Sequence, residues 1–379
     1  MAERIKGPIY EHKKTKRLLH YLPKESIVFL WHEDLDGVAV EGLIEAQVKA
    51  VINGKASMSG QYTHHHVNTL LQAGIAVFDV VNLSCKNSEY HGEQALIQTN
   101  KLFILSKDRP IYAAELLAYD QRLINEKLSF ARLYYAKQFD RFVDNTLTYA
   151  KRECEWFQKC PQFPTVLKSL EGKDVFIIAR NTNYEQDICA IQYILKQKST
   201  IVIAVDGAAD GLLKHKICPN FIIGDMDSIS EKALHCGAIL LCHEHPNGHS
   251  PGKETLMTMG IEAETIRFVG TSEDVAVAAS YWSGAKHLYL IGCRMGMTEF
   301  LEKSRAGMGA TWLCRMQAGE RITDLKGIHK LINRNRLLSN KWISLKVINS
   351  FRLKTFYQVL NDRFDRLSLS KKKEVLRHD

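Results

Sequence analysis

Two short apolar runs, residues 201–205 and 221–223, are each followed directly by aspartates and glycines. The first leads into Asp206 and Gly207, and the second leads into the motif Gly-Asp-Met-Asp-Ser at 224–228. Carboxylates two residues apart are able to reach one hard cation such as Mg²⁺, and neighbouring glycines let a phosphate chain approach the backbone. The pattern therefore predicts a site for a metal ion and a nucleotide.

The same aspartates also have a structural interpretation. Asp206 and Asp225 stand where an apolar run ends, and aspartate is a preferred residue in turns and at helix N-caps. One such aspartate is explained equally well as a turn residue or as a site residue. Two of them, with Asp227 close by, favour the metal and nucleotide site.

A parallel β-sheet is the element that would bring these residues together. Apolar runs alternate with helical patterns between residues 165 and 331, which is typical of a mostly parallel sheet with flanking helices. In such folds ligands bind beyond the carboxyl ends of the strands, so polar residues directly after a strand are candidate site residues. The six predicted strands, each expected to be buried on both faces, are residues 174–179, 201–205, 221–223, 238–242, 265–268 and 287–291.

Other stretches of the chain differ in character from this α/β stretch. Residues 25–110 contain short β-rich runs separated by Gly, Asn and Ser, which predicts a smaller mixed or β-rich domain. Residues 113–157 contain no Gly or Pro, which predicts one long helix or a helix pair that separates two domains or pairs with a second copy. The predicted domains are residues 1–110, a helical connector 111–164, an α/β domain 165–332 and a basic amphipathic tail 333–379.

The composition of the chain excludes several classes of protein. Its 379 residues are 45% hydrophobic and 25% charged, which is typical of a globular protein with more than one domain. No apolar stretch reaches the roughly 18 to 20 residues of a membrane-spanning helix, and residues 1–24 lack the apolar core of a secretory signal. A cytoplasmic location is therefore expected. Nine cysteines without a Cys-x-x-Cys pair argue against a disulfide framework or a zinc ribbon.

The excess of positive charge is confined to the C-terminal end. Residues 321–379 hold 15 basic and 5 acidic residues, whereas the other 320 residues hold 36 basic and 37 acidic ones. Aromatic and aliphatic residues alternate there with Lys and Arg, and the later part has helical spacing. Such a tail is suited to the inner surface of an anionic membrane. The alternatives are a helix docked on the protein body and an arm that binds a partner protein, while contact with nucleic acid is less favoured.

The motifs Asp-Gly at 206–207 and Gly-Asp-x-Asp-Ser at 224–228, each after an apolar run, resemble the catalytic domain of thiamine pyrophosphokinases. A wider set of motifs resembles the SteA-like family of cytokinetic-ring proteins, over roughly residues 10–335. These motifs are His-Glu-Asp-Leu-Asp at 32–36, Asp-Gly at 206–207, Ile-Gly-Asp-Met-Asp-Ser at 223–228, Gly-Thr-Ser-Glu-Asp at 270–274, Glu-Phe-Leu-Glu-Lys at 299–303 and Ser-Arg-Ala-Gly-Met at 304–308.

The resemblance implies a pyrophosphokinase reaction, in which a hydroxyl of a small acceptor attacks the β-phosphorus of ATP and AMP leaves. Acidic residues would hold Mg²⁺ and the nucleotide, so that catalysis consists of positioning and charge neutralisation. The implied catalytic and metal-binding residues are Asp206, Asp225 and Asp227. The residues implied to line the phosphates are Gly207, Gly224 and Ser228.

The resemblance to thiamine pyrophosphokinases is incomplete. Those enzymes carry a Thr-Asp pair at the start of a helix, where this chain reads Thr-Ser-Glu-Asp at 271–274. They also carry a Gly-Gly-Arg-x-Asp-His motif, where this chain reads Gly-Cys-Arg-Met-Gly-Met at 292–297. Only Gly292 and Arg294 of the second motif match, which argues against thiamine as the acceptor.

Several more polar residues are candidates for contacts with a nucleotide. Two arginines lie in a glycine-containing stretch that ends at residues 307–309, and they would either clamp phosphate oxygens or lie at the surface or between domains. Residues 271–274 would begin a helix, where their side chains cap it or contact the nucleotide. A third arginine follows the first strand of the α/β stretch. These candidates are Thr271, Ser272, Asp274, Arg294, Arg305 and Arg180.

Three histidine-containing segments have a structural interpretation that is preferred to a functional one. The segment Cys-His-Glu-His-Pro-Asn-Gly-His at 242–249 holds ligand types that suit zinc or copper, but its spacing fits no standard zinc site, so a strand end and a polar turn are favoured. The histidines at 64–66 are interpreted as an exposed loop. The acidic segment 32–36 precedes a helical pattern at 38–47, which makes helix capping its simplest explanation.

Two classes of function remain. The first is an enzyme, similar to a thiamine diphosphokinase, that uses Mg²⁺ and ATP to transfer diphosphate to a small hydroxymethyl compound. The second is a non-catalytic scaffold of cell division or the cell envelope, which senses a nucleotide at the site or keeps it as a vestige. Its expected partners are a second copy through the long helix and a division protein or the membrane surface through the tail. The intact acidic motifs favour nucleotide binding, and the altered motif at 292–297 disfavours thiamine turnover.

Overall fold

The computed structural model describes residues 4–12, 15–19, 21–84, 90–106, 109–302 and 307–332. The chain divides into two units, Met1–Lys326 and Gly327–Asp379, and the strands and helices that form its two sheets belong to the first. Within the described ranges, no helix combines the length and the apolar character needed to cross a membrane. The predicted basic tail and Arg305 lie outside the described residues.

The N-terminal part of the chain folds into a closed barrel of seven strands. The strands are β1 (Ile5–Glu11), β2 (Ile27–Leu30), β3 (Ala50–Asn53), β4 (Ala76–Leu83), β5 (Gln94–Gln98), β6 (Lys101–Leu105) and β7 (Pro110–Ala118). Their order is β1-β2-β3-β4-β7-β6-β5, and β5 pairs back to β1. Pairs from β1 to β4 are parallel and the remaining pairs are antiparallel, so the predicted β-rich domain is a mixed barrel.

Alternate residues of the barrel strands face two different cores, because successive side chains of a strand point to opposite faces. Ile27 and Phe29 of β2 belong to a buried cluster drawn from all seven strands, which fills the barrel. Val28 and Leu30 of the same strand pack outside it against the helices. These helices are α1 (Thr15–Leu19), α2 (Gly37–Glu45) and α3 (His66–Gln72).

The last barrel strand corrects the predicted start of the long helix. Residues 113–118, expected to be helical, belong to β7. The segment Ala-Ala-Glu-Leu-Leu-Ala has good helix propensity, which amounts to at most ~0.7 kcal/mol per residue. β7 is hydrogen-bonded to β4 on one side and β6 on the other, and this pairing outweighs the local preference.

One helix of 33 residues, α4 (Gln121–Glu153), follows the barrel, and the prediction of a long helix is confirmed from that point on. Asp120 caps it, since its carboxylate accepts a hydrogen bond from Leu123 N at 2.7 Å. At about 1.5 Å per residue α4 is about 50 Å long. It packs against α3 and against the segments Met297–Glu302 and Gly309–Ala318, so it joins the barrel to the α/β part of the chain.

The second half of the chain is built around a seven-stranded sheet in which every neighbouring pair is parallel. The strands are β8 (Asp174–Ile178), β9 (Ile201–Val205), β10 (Phe221–Gly224), β11 (Ile239–Glu244), β12 (Glu264–Arg267), β13 (His287–Ile291) and β14 (Ile322–Asp324). Their order is β12-β11-β10-β9-β8-β13-β14. The chain moves outward from β8 to β12 and then returns to the other side of β8, which makes the carboxyl ends of β8 and β13 the switch point where ligands bind in such sheets.

Helices alternate with these strands. They are α5 (Tyr184–Leu195), α6 (Ala208–Lys214), α7 (Glu231–Leu234), α8 (Pro251–Thr258), α9 (Ser272–Trp282), α10 (Met297–Glu302) and α11 (Gly309–Ala318), with 3₁₀ turns at Cys154–Phe157, Thr165–Leu170 and Gly319–Arg321. The predicted α/β class is confirmed in part, because a parallel sheet with helices is accompanied by a second sheet closed into a barrel. The domain boundaries remain predictions.

The six predicted strands of the sheet are all present, with two corrections. β12 is not buried on both faces, because it is an edge strand whose Glu264 and Arg267 are exposed. The short strand β14 was not predicted, since Ile-Thr-Asp at 322–324 has no long apolar run.

The prediction of an exposed loop at 64–66 holds for His65, which is exposed, and is wrong for His64 and His66. His64 is buried, and its Nε2 lies 3.4 Å from the carboxylate of Asp34. His66 begins α3, and its Nε2 lies 2.9 Å from Oε1 of Glu302 in α10. The prediction is wrong because this contact with α10 joins residues 236 positions apart, which a local sequence pattern does not reveal.

Candidate functional site

A cleft of about 440 Å³ lies where the carboxyl ends of the parallel strands meet the barrel. Its sheet side is formed by residues that follow β8, β9, β10 and β13, by the end of β11 and by the start of α9. Its barrel side is formed by residues of α1 and α2 and of the loop before α2. Small-molecule sites are typically of this size and occur at such switch points. The candidate site is therefore shared by the barrel and the α/β part.

Asp206 directly follows β9 and lines the cleft. Its backbone is left-handed, with φ of 48°, and its Oδ1 accepts a hydrogen bond from Met226 N at 3.2 Å. The carboxylate lies against Gly224, whose φ is 155°, and a Cβ at position 224 would overlap it. Glycine is required there for both reasons. Asp206 is thus a turn residue, as the structural interpretation predicts, and also a residue of the cleft.

Asp225 follows β10, exposes 44% of its side chain and lines the same cleft. Its Oδ1 is buried, and no described residue donates a hydrogen bond to it. Buried polar atoms are nearly always satisfied, so such an oxygen calls for a donor or a cation. The geometry of Asp225 therefore fits a metal ligand.

Asp227 is not brought to the cleft. Met226 is buried and left-handed, with φ of 58°, and after this turn the side chain of Asp227 is exposed and does not line the cleft. The described residues contain no group of three or more His, Cys, Asp or Glu side chains placed to hold a metal ion. Mg²⁺ commonly uses one or two carboxylates together with phosphates and water, so Asp206 and Asp225 are the residues that would hold it.

Arg180, which follows β8, presents its guanidinium to the cleft. Nη1 lies 2.6 Å from the point where a Cβ at Gly207 would stand, and the carbonyl of Ser228 lies equally close on the other side. A larger residue at position 207 would push both groups away. Within the described part of the chain, no side chain or carbonyl forms a hydrogen bond or ion pair with the Arg180 guanidinium. This cation is available to an anionic ligand.

Arg294 has a different environment from the one predicted for a phosphate clamp. Its Nη1 lies 3.1 Å from Glu273 Oε1, its backbone N donates to Glu273 Oε2 at 2.8 Å, and its Nη2 donates to the carbonyl of Arg180 at 2.6 Å. Glu273 is 7% exposed and the Arg294 side chain 10%. Arg294 thus ties the end of β13 to the start of α9 and to the turn that carries Arg180.

The N-terminus of α9 faces the cleft through Thr271 and Ser272. Thr271 and Asp274 form a reciprocal cap, in which Thr271 N donates to Asp274 Oδ2 at 2.8 Å and Asp274 N donates to Thr271 Oγ1 at 3.4 Å. The capping interpretation of these residues is confirmed. Because the N-terminus of a helix of 11 residues carries partial positive charge, this end of the cleft also favours an anion.

Residues of the segment 32–36 have two roles, since they stabilise the local structure and also line the cleft. Asp36 caps α2, as predicted, with its Oδ1 accepting from Ala39 N at 2.8 Å. Asp34 accepts from Ser59 N at 2.7 Å and Ser59 Oγ at 2.8 Å, which stabilises the loop. His32 and Asp36 line the cleft opposite the sheet, with His32 Nε2 3.8 Å from Asp36 Oδ2. Local sequence gave no signal for this role, since it depends on how the barrel contacts the sheet.

His243 and His245 are further residues of the cleft. His243, in β11, is 1% exposed, and its Nε2 donates to the carbonyl of Phe268 at 3.1 Å. Burial lowers the pKa of His243 below its ordinary value, because the charged form of the ring is poorly solvated there. The segment 242–249 was set aside as a strand end and polar turn. The strand end is confirmed, but two of its histidines line the cleft.

A family model matches the part of the chain that carries Asp206 and Asp225. Residues 193–238 match the family described as thiamin pyrophosphokinase, catalytic domain. A stretch of 81 residues is 30% identical to 6-hydroxymethyl-7,8-dihydropterin pyrophosphokinase of Methanocaldococcus jannaschii. That stretch covers 20% of this chain, and the chain spans about a third, 33%, of the length of the relative. Both matches indicate a thiamine pyrophosphokinase-like domain in the α/β part.

Proposed function

We propose that the cleft binds ATP with a divalent cation and transfers diphosphate to a hydroxyl group of a small acceptor. One observation carries the proposal. Asp206, Asp225 and the Arg180 guanidinium, which pairs with none of the described residues, line one cleft, and the two aspartates lie in the segment similar to the catalytic domain of thiamin pyrophosphokinases. Carboxylates for a cation and a positive group for phosphates are the requirements of phosphoryl transfer.

The polyphosphate is proposed to lie at the sheet side of the cleft. Arg180 supplies a guanidinium suited to bidentate contact with phosphate oxygens. The N-terminus of α9, at Thr271 and Ser272, adds partial positive charge on the same side. Gly224 lets the Asp206 carboxylate lie against the backbone, and Gly207 does the same for the Arg180 guanidinium, because a Cβ at either position would overlap the facing group.

The proposed reaction is a nucleophilic displacement at phosphorus. The acceptor oxygen bonds to the β-phosphorus, the bond from that phosphorus to the oxygen shared with the α-phosphorus breaks, and AMP leaves. The hydroxyl proton passes to solvent. When bound by Asp206 and Asp225, Mg²⁺ supplies neutralisation of the negative charge on the transferred group. Arg180 adds to this by holding the phosphates in place, which lowers the entropy cost of reaching the transition state.

The acceptor is proposed to lie against the barrel side. Leu19, Val38 and Ala39 form an apolar surface there, and His32 and Asp36 place polar groups beside it. An apolar surface with a few polar groups suits a small ring compound that carries hydrogen-bonding groups. The relative from Methanocaldococcus jannaschii is a pyrophosphokinase for a hydroxymethyl pterin by its name, and a hydroxymethyl ring compound fits this cleft as an acceptor class.

Arg180→Met is expected to lower the affinity for α,β-methylene-ATP with Mg²⁺ by about 10- to 100-fold, since one charged hydrogen-bonding group is worth about 1.5–3 kcal/mol. Isothermal titration calorimetry on the full chain measures this change. Arg122→Met, on the exposed surface of α4, is the matched control and should bind like the wild type. If Arg180→Met binds α,β-methylene-ATP as tightly as the wild type, Arg180 does not contact the phosphates. Absence of binding by the wild type would refute the site itself.

A second candidate is a protein that binds the nucleotide without transferring diphosphate, in the cell-division or envelope role that the SteA-like resemblance implies. Two observations favour it. Arg294, predicted to bind phosphate, is engaged by Glu273 and the Arg180 carbonyl, and Asp227, predicted to be catalytic, lies outside the cleft lining. This candidate predicts nucleotide binding without formation of AMP.

The surface of α4 offers such a scaffold a partner site. Leu133 is 79% exposed, Tyr135 55% and Leu147 57%, which is unusual for apolar side chains of a helix with polar neighbours. Pairing of α4 with a second copy is a proposal that analytical ultracentrifugation of the full chain tests. The inner membrane surface remains the proposed partner of the tail.

A further inference from the structure

Two hydrogen-bond acceptors face each other at the sheet side of the cleft. Asp225 Oδ1 is buried and accepts no hydrogen bond from a described residue. Nδ1 of His243 lies 3.9 Å from it. Because the Phe268 carbonyl only accepts, Nε2 of His243 carries the ring proton and Nδ1 of the neutral ring presents a lone pair. Two acceptors in this arrangement need a donor or a cation.

The orientation of His243 is that of a metal-binding histidine. Ligating imidazoles nearly always donate their other ring N–H to a backbone carbonyl or a carboxylate, which fixes the tautomer and the plane of the ring. The hydrogen bond to Phe268 O at 3.1 Å does this for His243, and a side chain that is 1% exposed is also held by packing. The direction of its lone pair is therefore set by the protein.

We propose that His243 Nδ1 and Asp225 Oδ1 bind the same divalent cation, so that the cleft selects a transition metal such as Mn²⁺, Co²⁺ or Zn²⁺ over Mg²⁺. The inference rests on the proposed function, because the nucleotide phosphates complete the ligand set. Mg²⁺ prefers oxygen ligands, whereas imidazole nitrogen is a good ligand for the later divalent metals. His245, with its ring centroid 4.8 Å from that of His243, adds a second imidazole at the same cleft.

Two other arrangements would satisfy the pair without a metal–nitrogen bond. A proton shared directly by the two atoms requires a separation of about 2.7–3.2 Å, which is shorter than the observed 3.9 Å. A water molecule that bridges His243 and Asp225 satisfies both atoms, and it predicts that a bound cation has no histidine nitrogen as a ligand. The presence or absence of a histidine nitrogen among the ligands of a bound cation therefore distinguishes direct coordination by His243 from a bridging water molecule.

The test is pulsed electron paramagnetic resonance of Mn²⁺ with ADP, bound to the full chain in which histidine carries ¹⁵N. The label separates a histidine nitrogen from those of adenine. His243→Gln is the informative variant, since its amide N–H is able to keep the hydrogen bond to Phe268 O while the Nδ1 lone pair is lost. His249→Gln is the matched control, because His249 is exposed and lies outside the cleft lining.

Coupling of Mn²⁺ to ¹⁵N is expected in the wild type and in His249→Gln and is expected to be lost in His243→Gln. His243→Gln should also bind Mn²⁺ with ADP about 10-fold more weakly, while its affinity for Mg²⁺ with ADP changes little. Absence of ¹⁵N coupling in a wild type that binds Mn²⁺ with ADP, with binding lost in Asp225→Asn, would overturn the inference and leave the proposed function standing. No binding of Mn²⁺ with ADP by the wild type would refute both.

Discussion

Asp225→Asn is expected to lower the rate of acceptor-dependent AMP formation by about 10²- to 10³-fold, which is the usual effect of removing one charge-stabilising group from a catalytic site. The substitution keeps the size of the side chain and removes the negative charge that would hold a cation at the phosphates. Asp225 Oδ1 has no hydrogen-bond donor among the described residues, so little folding stability depends on its charge. Initial rates of AMP release at saturating ATP and Mg²⁺ measure the effect.

Asp174→Asn is the matched control for Asp225→Asn. Asp174 starts β8, at the opposite end of the strands from the cleft, and its Oδ1 lies 2.8 Å from His287 Nδ1 in an exposed pair. An exposed pair contributes at most ~1 kcal/mol to stability, so this variant should keep the wild-type rate within about twofold. A rate for Asp225→Asn within threefold of the control would exclude Asp225 from catalysis.

Arg294→Met is expected to lower the free energy of unfolding by about 3–5 kcal/mol, the usual cost of removing one partner of a buried ion pair. Glu273 would keep its negative charge at 7% exposure without the guanidinium that lies 3.1 Å away. The carbonyl of Arg180 would lose its donor at the same time. Urea denaturation followed by circular dichroism measures the change.

Two further variants show whether burial of the Glu273–Arg294 pair causes the expected loss of stability in Arg294→Met. Lys214→Met removes an exposed pair, Lys214–Glu185, with side chains 55% and 31% exposed, and should cost at most ~1 kcal/mol. The double variant Glu273→Gln with Arg294→Met removes both charges of the buried pair and should recover part of the lost stability. Arg294→Met as stable as Lys214→Met would mean that the buried pair contributes little.

The sheet and the position of its two aspartates were predictable because the relevant information is local. Strands that are buried on both faces appear in the sequence as short continuous apolar runs. The carboxyl ends of parallel strands meet at one edge of the sheet. Asp206 and Asp225 follow such runs directly, and the structure places both at the cleft. Asp227 does not line the cleft, because Met226 before it has a left-handed backbone, which is uncommon for a methionine and is not predictable from the sequence.

The barrel side of the cleft was not predictable from the sequence. His32 and Asp36 reach the cleft because α2 contacts the loop after β8, where Asn183 N donates to Glu41 Oε1 at 3.0 Å. That contact joins residues 142 positions apart, and no pattern along one chain encodes it. The sequence identifies His243 as a residue type that binds metals. Whether its free ring nitrogen points toward a cation depends on the hydrogen bond to Phe268 O, which only the structure reveals.

Transfer of diphosphate is tested most directly by ³¹P nuclear magnetic resonance of the full chain with ATP and a set of hydroxymethyl acceptors that includes 6-hydroxymethyl-7,8-dihydropterin, in parallel samples with Mg²⁺ and with Zn²⁺. A pyrophosphokinase reaction predicts equal amounts of AMP and a new diphosphate monoester, which appear only with an acceptor. ADP and inorganic phosphate as the products, or unchanged ATP with every acceptor, would contradict diphosphate transfer by this cleft.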